Sequence, residues 1–151
     1  MINNGRFAAH MLALQLHQIL PPLLSILLTS SLPNNPPTLR GSAAEILRAL
    51  LQQHGATYPS LSERLTKTLL LSLFEPDKDH GTREGAVRGL NSLGDQGIRK
   101  GLIESGGAKM LGEEYGDTDE GITQAVLVRS DYHNHLLLCR AEFLLGTTRG
   151  P

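Results

Sequence analysis

The residues best suited to bind a metal ion lie close together near the C-terminus, at His133, His135 and Cys139. Imidazole nitrogen and thiolate sulfur are the ligands that zinc prefers in proteins. On a helix, however, positions two apart point to different sides, and no fourth ligand lies nearby. We therefore predict that Cys139 packs in the core and that Asp131 and His135 form a surface pair. A small helical metal protein or enzyme using this region is kept as a third hypothesis.

Two other features could contact an anion or carry a proton. The run Gly106-Gly107-Ala108-Lys109 is the nearest approach to a phosphate-binding loop, but it lacks the glycine spacing that lets backbone amides surround an anion. We expect it to begin a helix instead. His17 lies on a leucine-rich segment, where a buried and hydrogen-bonded structural histidine is the expected state.

Groups for covalent catalysis are not arranged in any recognisable pattern. No serine or cysteine lies at a glycine-flanked turn of the kind that exposes a hydrolase nucleophile, and no Walker or dinucleotide-binding pattern occurs. The sequence therefore predicts a protein that is not an enzyme, with no catalytic residues, no cofactor and no small-molecule substrate.

Composition favours one all-α domain. The 151 residues are 40% hydrophobic and only 4% aromatic, and such a content suits helix packing better than strand pairing. The net charge of −1 gives no broad attraction to phosphates, so direct DNA binding is not expected. The longest apolar stretch, residues 19–32, is short and interrupted by prolines, which argues against a membrane partner.

Helical spacing of apolar residues, with proline and glycine at the corners, marks out the elements. We expect the first helix to end or kink at Pro21-Pro22, because proline removes a backbone donor. Thr38, Thr82 and Asp95 are expected to cap later helices. The predicted helices cover residues 6–20, 22–31, 38–54, 59–74, 82–93, 95–104, 107–113 and 121–145.

Two helices repeat a short pattern about forty residues apart. Leu-Arg-Ala-Leu at 47–50 precedes Gly55, and Val-Arg-Gly-Leu at 87–90 precedes Gly94. Near-complete apolarity at 69–74 further predicts burial on two sides, which a stack of helices provides. The fold class is therefore all-α, a short α-solenoid of HEAT-type helical hairpins. We divide it into a repeat core at 1–112, an acidic loop at 113–121, and a C-terminal helix at 122–151 that packs on the repeats.

Several strings occur in an order typical of one family. L-H-Q-I-L-P-P-L-L covers 16–24, Y-P-S-L covers 58–61, R-L-T-K-T-L covers 64–69, F-E-P-D-K covers 74–78, and G-A-V-R-G-L covers 85–90 before L-G at 93–94. Over about residues 13–112 the chain resembles the HEAT-repeat (C-terminal) domain of transcription initiation factor TFIID subunit 6. That family has the matching patterns "R-I-T-K-T-L", "D-P-K" and "G-A-I-x-G-L-x-x-L-G".

The resemblance implies a non-catalytic scaffold in the nucleus. Its partners would be other subunits of TFIID, and of the coactivator SAGA, including a histone-fold partner bound through a region absent from this chain. Because that histone fold is absent, we expect the chain to be an excised domain or a fragment. Arg83-Glu84 stands where family members tend to have His-Tyr, which puts any aromatic contact there in doubt. The alternative hypothesis is an unrelated cytoplasmic helical-repeat adaptor.

Basic residues at neighbouring helix ends could form a surface for an acidic partner segment. The alternative is a solvated face on which these cations pair with Glu84 and Asp95. Under the scaffold hypothesis, the predicted partner-binding residues are Arg64, Lys67, Arg83, Arg88, Arg99 and Lys100.

Overall fold

Helices account for nearly all of the part of the chain that the structure describes, residues 2–29, 37–116, 119–127 and 141–146 of a computed structural model. No strand occurs in these ranges, which confirms the all-α prediction. The helices are α1 (Ile2–Leu28), α2 (Pro37–His54), α3 (Pro59–Phe74), α4 (His80–Ser92), α5 (Asp95–Ile98), α6 (Gly107–Tyr115) and α7 (Glu120–Leu127), with a π-helix (Arg99–Glu104) directly after α5. Within the described ranges, no helix combines the length and apolarity needed to cross a membrane.

The first helix runs through Pro21 and Pro22, so the prediction of two separate helices that meet there is wrong. Both prolines are exposed, and water can therefore solvate the carbonyls that lose their amide partners. Leu16, Leu23 and Leu27 are buried on the opposite side. Burial along that side thus holds the helix together where local propensity would interrupt it.

Helix α4 lies at the centre of the packing. It contacts α1, α2, α3, α5, α7 and the π-helix, and only His80 and Arg88 of its residues are not buried. Gly85 is what permits the close crossing of α1, because a Cβ atom there would overlap the main chain of Leu27. The core is continuous from α1 to residue 143.

The N-terminus of α4 differs from the prediction. Asp79 is the N-cap, and its Oδ1 accepts a hydrogen bond from the Thr82 amide at 3.0 Å. Thr82 instead donates its hydroxyl to the carbonyl of Leu28 at 2.9 Å. A carbonyl at the end of α1, which has no partner within its own helix, is thereby satisfied from α4.

The C-terminal part is only partly as predicted. Helix α6 continues to Tyr115 and α7 begins at Glu120, so the acidic loop is shorter than the expected 113–121. Residues 141–146 are helical and pack on α6, where Phe143 is fully buried and Gly112 faces Gly146. The predicted roles of Asp131, His133, His135 and Cys139 fall on residues outside the described ranges.

Candidate protein-interaction surface

The residues considered above for binding a metal or an anion, or for carrying a proton, occupy ordinary positions in helices and turns. Where the structure describes the chain, no three His, Cys, Asp or Glu residues are grouped so as to hold a metal. Gly106 has φ 77° and precedes α6, and the Gly107 amide donates to Ser105 Oγ at 3.2 Å. This geometry is a helix start, as predicted. His17, predicted to be buried, is exposed, because it lies on the outward side of α1.

Arg83 is buried, with only 4% of its surface exposed, so its predicted place on a partner-facing surface is wrong. Its guanidinium forms an ion pair with Glu114 and donates to the Tyr115 hydroxyl at 3.1 Å and the Glu75 carbonyl at 3.2 Å. Burial lowers the pKa of Arg83, but the hydrogen bond to Glu114 and the contacts with Tyr115 outweigh it and raise the pKa overall. Arg83 thus joins the end of α3 to α6.

A second buried cation, which the sequence reasoning missed, lies at the start of α2. Arg40 is 2% exposed, its Nη1 lies 3.5 Å from Glu84 Oε2, and its Nη2 donates to the Thr29 carbonyl at 2.8 Å. The other oxygen of Glu84 accepts from Arg88 Nε and Nη2, at 3.2 and 3.0 Å. The alternative of a solvated face that pairs with Glu84 is wrong at this residue, because Glu84 is buried.

Arg88 keeps about a quarter of its side chain exposed. It lies on the floor of a depression of about 560 Å³ between α2 and α7, beside Glu45, Ile46 and Gln124. Because its guanidinium already binds Glu84, Arg88 offers a partner only part of its hydrogen-bonding capacity.

Arg99 and Lys100 are both exposed on the π-helix. Arg99 pairs with Glu104 at 3.5 Å, which is a surface contact of small energetic value. Lys100 faces α3 and lines a depression of about 410 Å³ together with Glu63, Lys67 and Leu70. The structure therefore brings Lys67 and Lys100, which are distant in sequence, to one site.

The outward side of α3 forms a surface that we call the α3 ridge, defined by Arg64, Lys67, Leu70, Leu71 and Phe74. Leu71 is 72% exposed and Phe74 41% exposed. Burial on two sides was predicted for residues 69–74, and it holds for Leu69 and Leu73 but is wrong for these two. Arg64 lines a second depression, of about 290 Å³, between α1 and α3.

Comparisons with known proteins identify relatives of this chain. The family described as "TAF6 C-terminal HEAT repeat domain" matches residues 7–106. The chain is similar to "Transcription initiation factor TFIID subunit 6" of Arabidopsis thaliana, with 34% identity over 88 residues, 56% of this chain and 16% of that protein. It is also similar to "SAGA complex/transcription factor TFIID complex subunit Taf6" of Schizosaccharomyces pombe, with 31% identity over 87 residues, 54% of this chain and 19% of that protein.

The matched segment is a small part of each relative, since the chain spans less than a fifth of either protein's length. No solved structure matches. The family match covers α3, α4 and the π-helix completely, so it includes the α3 ridge, Lys100 and the buried contacts of Arg40 with Glu84.

Proposed function

Because the chain belongs to the family of TAF6 C-terminal HEAT repeat domains, we propose that it is a non-catalytic scaffold of the general transcription machinery. In this role it binds other subunits of TFIID, and of SAGA where that complex shares the subunit, and so supports assembly of the RNA polymerase II pre-initiation complex. The family match over residues 7–106 is the observation that carries the proposal, together with the names of the two relatives.

The arrangement of the helices is suited to this role. Stacked helical hairpins leave one side of each outer helix free, and repeat proteins use such surfaces to bind other proteins. In this chain α3 keeps an exposed apolar and basic side, while α4 behind it is buried except at His80 and Arg88. A rigid centre with an exposed outer helix holds a binding surface in fixed geometry.

The location and wider partners of the protein belong to the same proposal. A subunit of TFIID or SAGA acts in the nucleus, and we infer that location here. A histone-fold partner would bind through a region outside this chain, and we expect direct DNA contact to be absent. Fluorescence microscopy of the tagged full-length protein would test the nuclear location.

Affinity purification from nuclear extract tests the proposed function. The tagged chain is immobilised, and the retained proteins are identified by mass spectrometry. We expect TFIID subunits to be enriched over a bead-only control, and subunits found only in SAGA to be enriched if the chain also enters that complex. Recovery of neither complex would refute the proposal and favour the cytoplasmic helical-repeat adaptor.

A further inference from the structure

The α3 ridge combines features that a solvated helix side does not need. Leu71 is the most exposed of the large hydrophobic residues that the structure describes, and Phe74 lies one turn further along the same side. Leu70 is half-buried at the edge of the ridge. Grouped apolar side chains on a surface typically mark a site that binds another protein.

The basic residues around these apolar side chains are not paired with an acid in the described part of the chain. Arg64, Lys67 and Lys100 are exposed, and their side chains form no ion pair or hydrogen bond within the described part of the chain. The neighbouring cation Lys78, by contrast, pairs with Glu75 at 3.5 Å. Two acids lie beside the ridge: Glu63 faces the depression that Lys67 and Lys100 line, and Glu75 adjoins Phe74 and is paired with Lys78. Because Arg64, Lys67 and Lys100 outnumber these acids, the ridge carries a net positive charge.

The shape of the ridge fits a helix. From Arg64 to Phe74 it extends about 15 Å at 1.5 Å per residue, which equals about three helical turns. It has a depression on each side, one against α1 and one against the π-helix. Apolar side chains spaced at one turn and flanked by grooves are the arrangement that receives the apolar stripe of an amphipathic helix.

We propose that the α3 ridge binds an acidic amphipathic helix of a partner protein, an inference that rests on the proposed scaffold function and specifies its surface. The apolar stripe of the partner covers Leu70, Leu71 and Phe74. Glu or Asp residues along its flanks face Arg64 on one side, and Lys67 and Lys100 on the other. A second copy of this chain fits less well, because two α3 ridges would bring like charges together.

Selection from a peptide library tests the proposal through the chemistry of the peptides that bind. A displayed library of helix-forming peptides, about 18 residues long and therefore about five turns, is selected on the wild-type chain, with excess Leu71→Asp chain as competitor. We expect the selected peptides to have an apolar stripe at i, i+3/i+4 and i+7 flanked by Glu or Asp. The best synthetic peptide is then measured by fluorescence anisotropy.

Variants of solvent-accessible residues give the expected pattern of affinities. Leu71→Asp and the pair Lys67→Glu with Lys100→Glu should each weaken binding about 10-fold or more, equivalent to about 1.4 kcal/mol. Leu39→Asp, at a residue that is 41% exposed on α2, and Lys109→Glu, at a half-buried residue outside the ridge, are the controls and should change binding less than about 2-fold. Raising salt from about 50 to about 200 mM should weaken the interaction, because exposed charges are screened.

Several results would overturn the proposal. These are recovery of no peptide, selection of basic flanks, or binding that Leu71→Asp leaves unchanged. A concentration-dependent dimer in sedimentation equilibrium that Leu71→Asp abolishes would assign the ridge to a second copy. If wild type and Leu71→Asp retain the same TFIID subunits from nuclear extract, the scaffold function stands and the ridge proposal fails. If the wild type retains none, the scaffold function itself fails.

Discussion

Replacement of Gly85 by alanine tests the close crossing of α1 and α4. A Cβ atom at this position would lie 2.8 Å from the carbonyl carbon of Leu27 and still closer to its oxygen, whereas Cβ atoms in real structures stay at least 3.0 Å from other atoms. The overlapped atoms belong to the backbone of α1, so no side-chain rotation relieves the clash. Helices α1 and α4 must move apart to accept the methyl group.

The expected cost follows from three contributions. Overpacking against backbone is placed at the upper end of the usual range, about 3 kcal/mol. Separation of the helices also breaks the hydrogen bond from Thr82 to the Leu28 carbonyl, which costs about 1 kcal/mol. The higher helix propensity of alanine returns about 1 kcal/mol. The net loss in the free energy of unfolding is therefore about 3 kcal/mol, or about 6–12 °C in Tm for a chain of this size.

The same substitution at Gly41 is the control. Gly41 lies inside α2, and a Cβ atom there would have no neighbour within 4 Å, so alanine should stabilise the protein by about 0.5–1 kcal/mol. Both variants are measured by urea and thermal unfolding. Equal effects of the two substitutions, or a Gly85→Ala protein as stable as the wild type, would refute the close crossing of α1 and α4.

Three further predictions concern polar groups that are buried or half-buried. Glu84→Gln leaves Arg40 buried without its counter-charge, so urea unfolding should show a loss of about 3–5 kcal/mol. Burial raises the pKa of Tyr115 above its ordinary value near 10, so the folded chain holds this proton more tightly than the unfolded chain. The contribution of Tyr115 to stability is present below about pH 10 and is lost as the pH rises further, so the stability difference between wild type and Tyr115→Phe should shrink as the pH rises above about 10. Asn91→Leu removes the hydrogen bond to the Ala125 carbonyl, made at 2.7 Å, and should cost about 1–3 kcal/mol in thermal unfolding.

A specific result would contradict each of these predictions. A Glu84→Gln protein of unchanged stability would show that another group neutralises Arg40. A pH-independent difference between wild type and Tyr115→Phe would contradict the raised pKa of Tyr115. An unchanged melting temperature for Asn91→Leu would mean that the Ala125 carbonyl loses nothing when its side-chain donor is removed.

The helical class and most helix positions could be predicted because they depend on short-range patterns. Helix α3 begins at Pro59 and ends at Phe74 as predicted, since proline fits the first helical turn and the following Glu75-Pro76 cannot continue it. Helix α6 begins at Gly107 as predicted. In both cases the residues that set the boundary are adjacent to it in sequence.

The errors come from contacts between residues distant in sequence. Proline normally interrupts a helix, but the burial of α1 outweighs this local effect at Pro21 and Pro22. An amphipathic helix normally carries its polar residues on an outer side, which is why the sequence offered a solvated face at Glu84 as an alternative. Glu84 is instead buried, and it forms an ion pair with Arg40 of α2. The glycines Gly85 and Gly89, one turn apart and both tightly packed, are the sequence signal that α4 approaches its neighbours closely.

The candidate surface, like the fold, could be predicted from the sequence only in part. Exposure of Arg64, Lys67 and Lys100 agrees with a partner-facing role, which stays a prediction. The exposed Leu71 could not be identified from sequence, because a leucine in an apolar run normally indicates burial. Only the position of α3 relative to its neighbours shows which leucine in the run faces solvent.

The central position of α4 has a consequence for how the protein unfolds. Long repeat arrays lose stability one neighbour at a time, because each repeat contacts only the next. Here α4 contacts five other helices, the π-helix among them, in addition to α5, and its three glycines make it a weak helix in isolation. Loss of any neighbour therefore removes support that α4 cannot replace. Unfolding should be a single cooperative transition, with the amides of α4 exchanging hydrogen only when the whole domain opens.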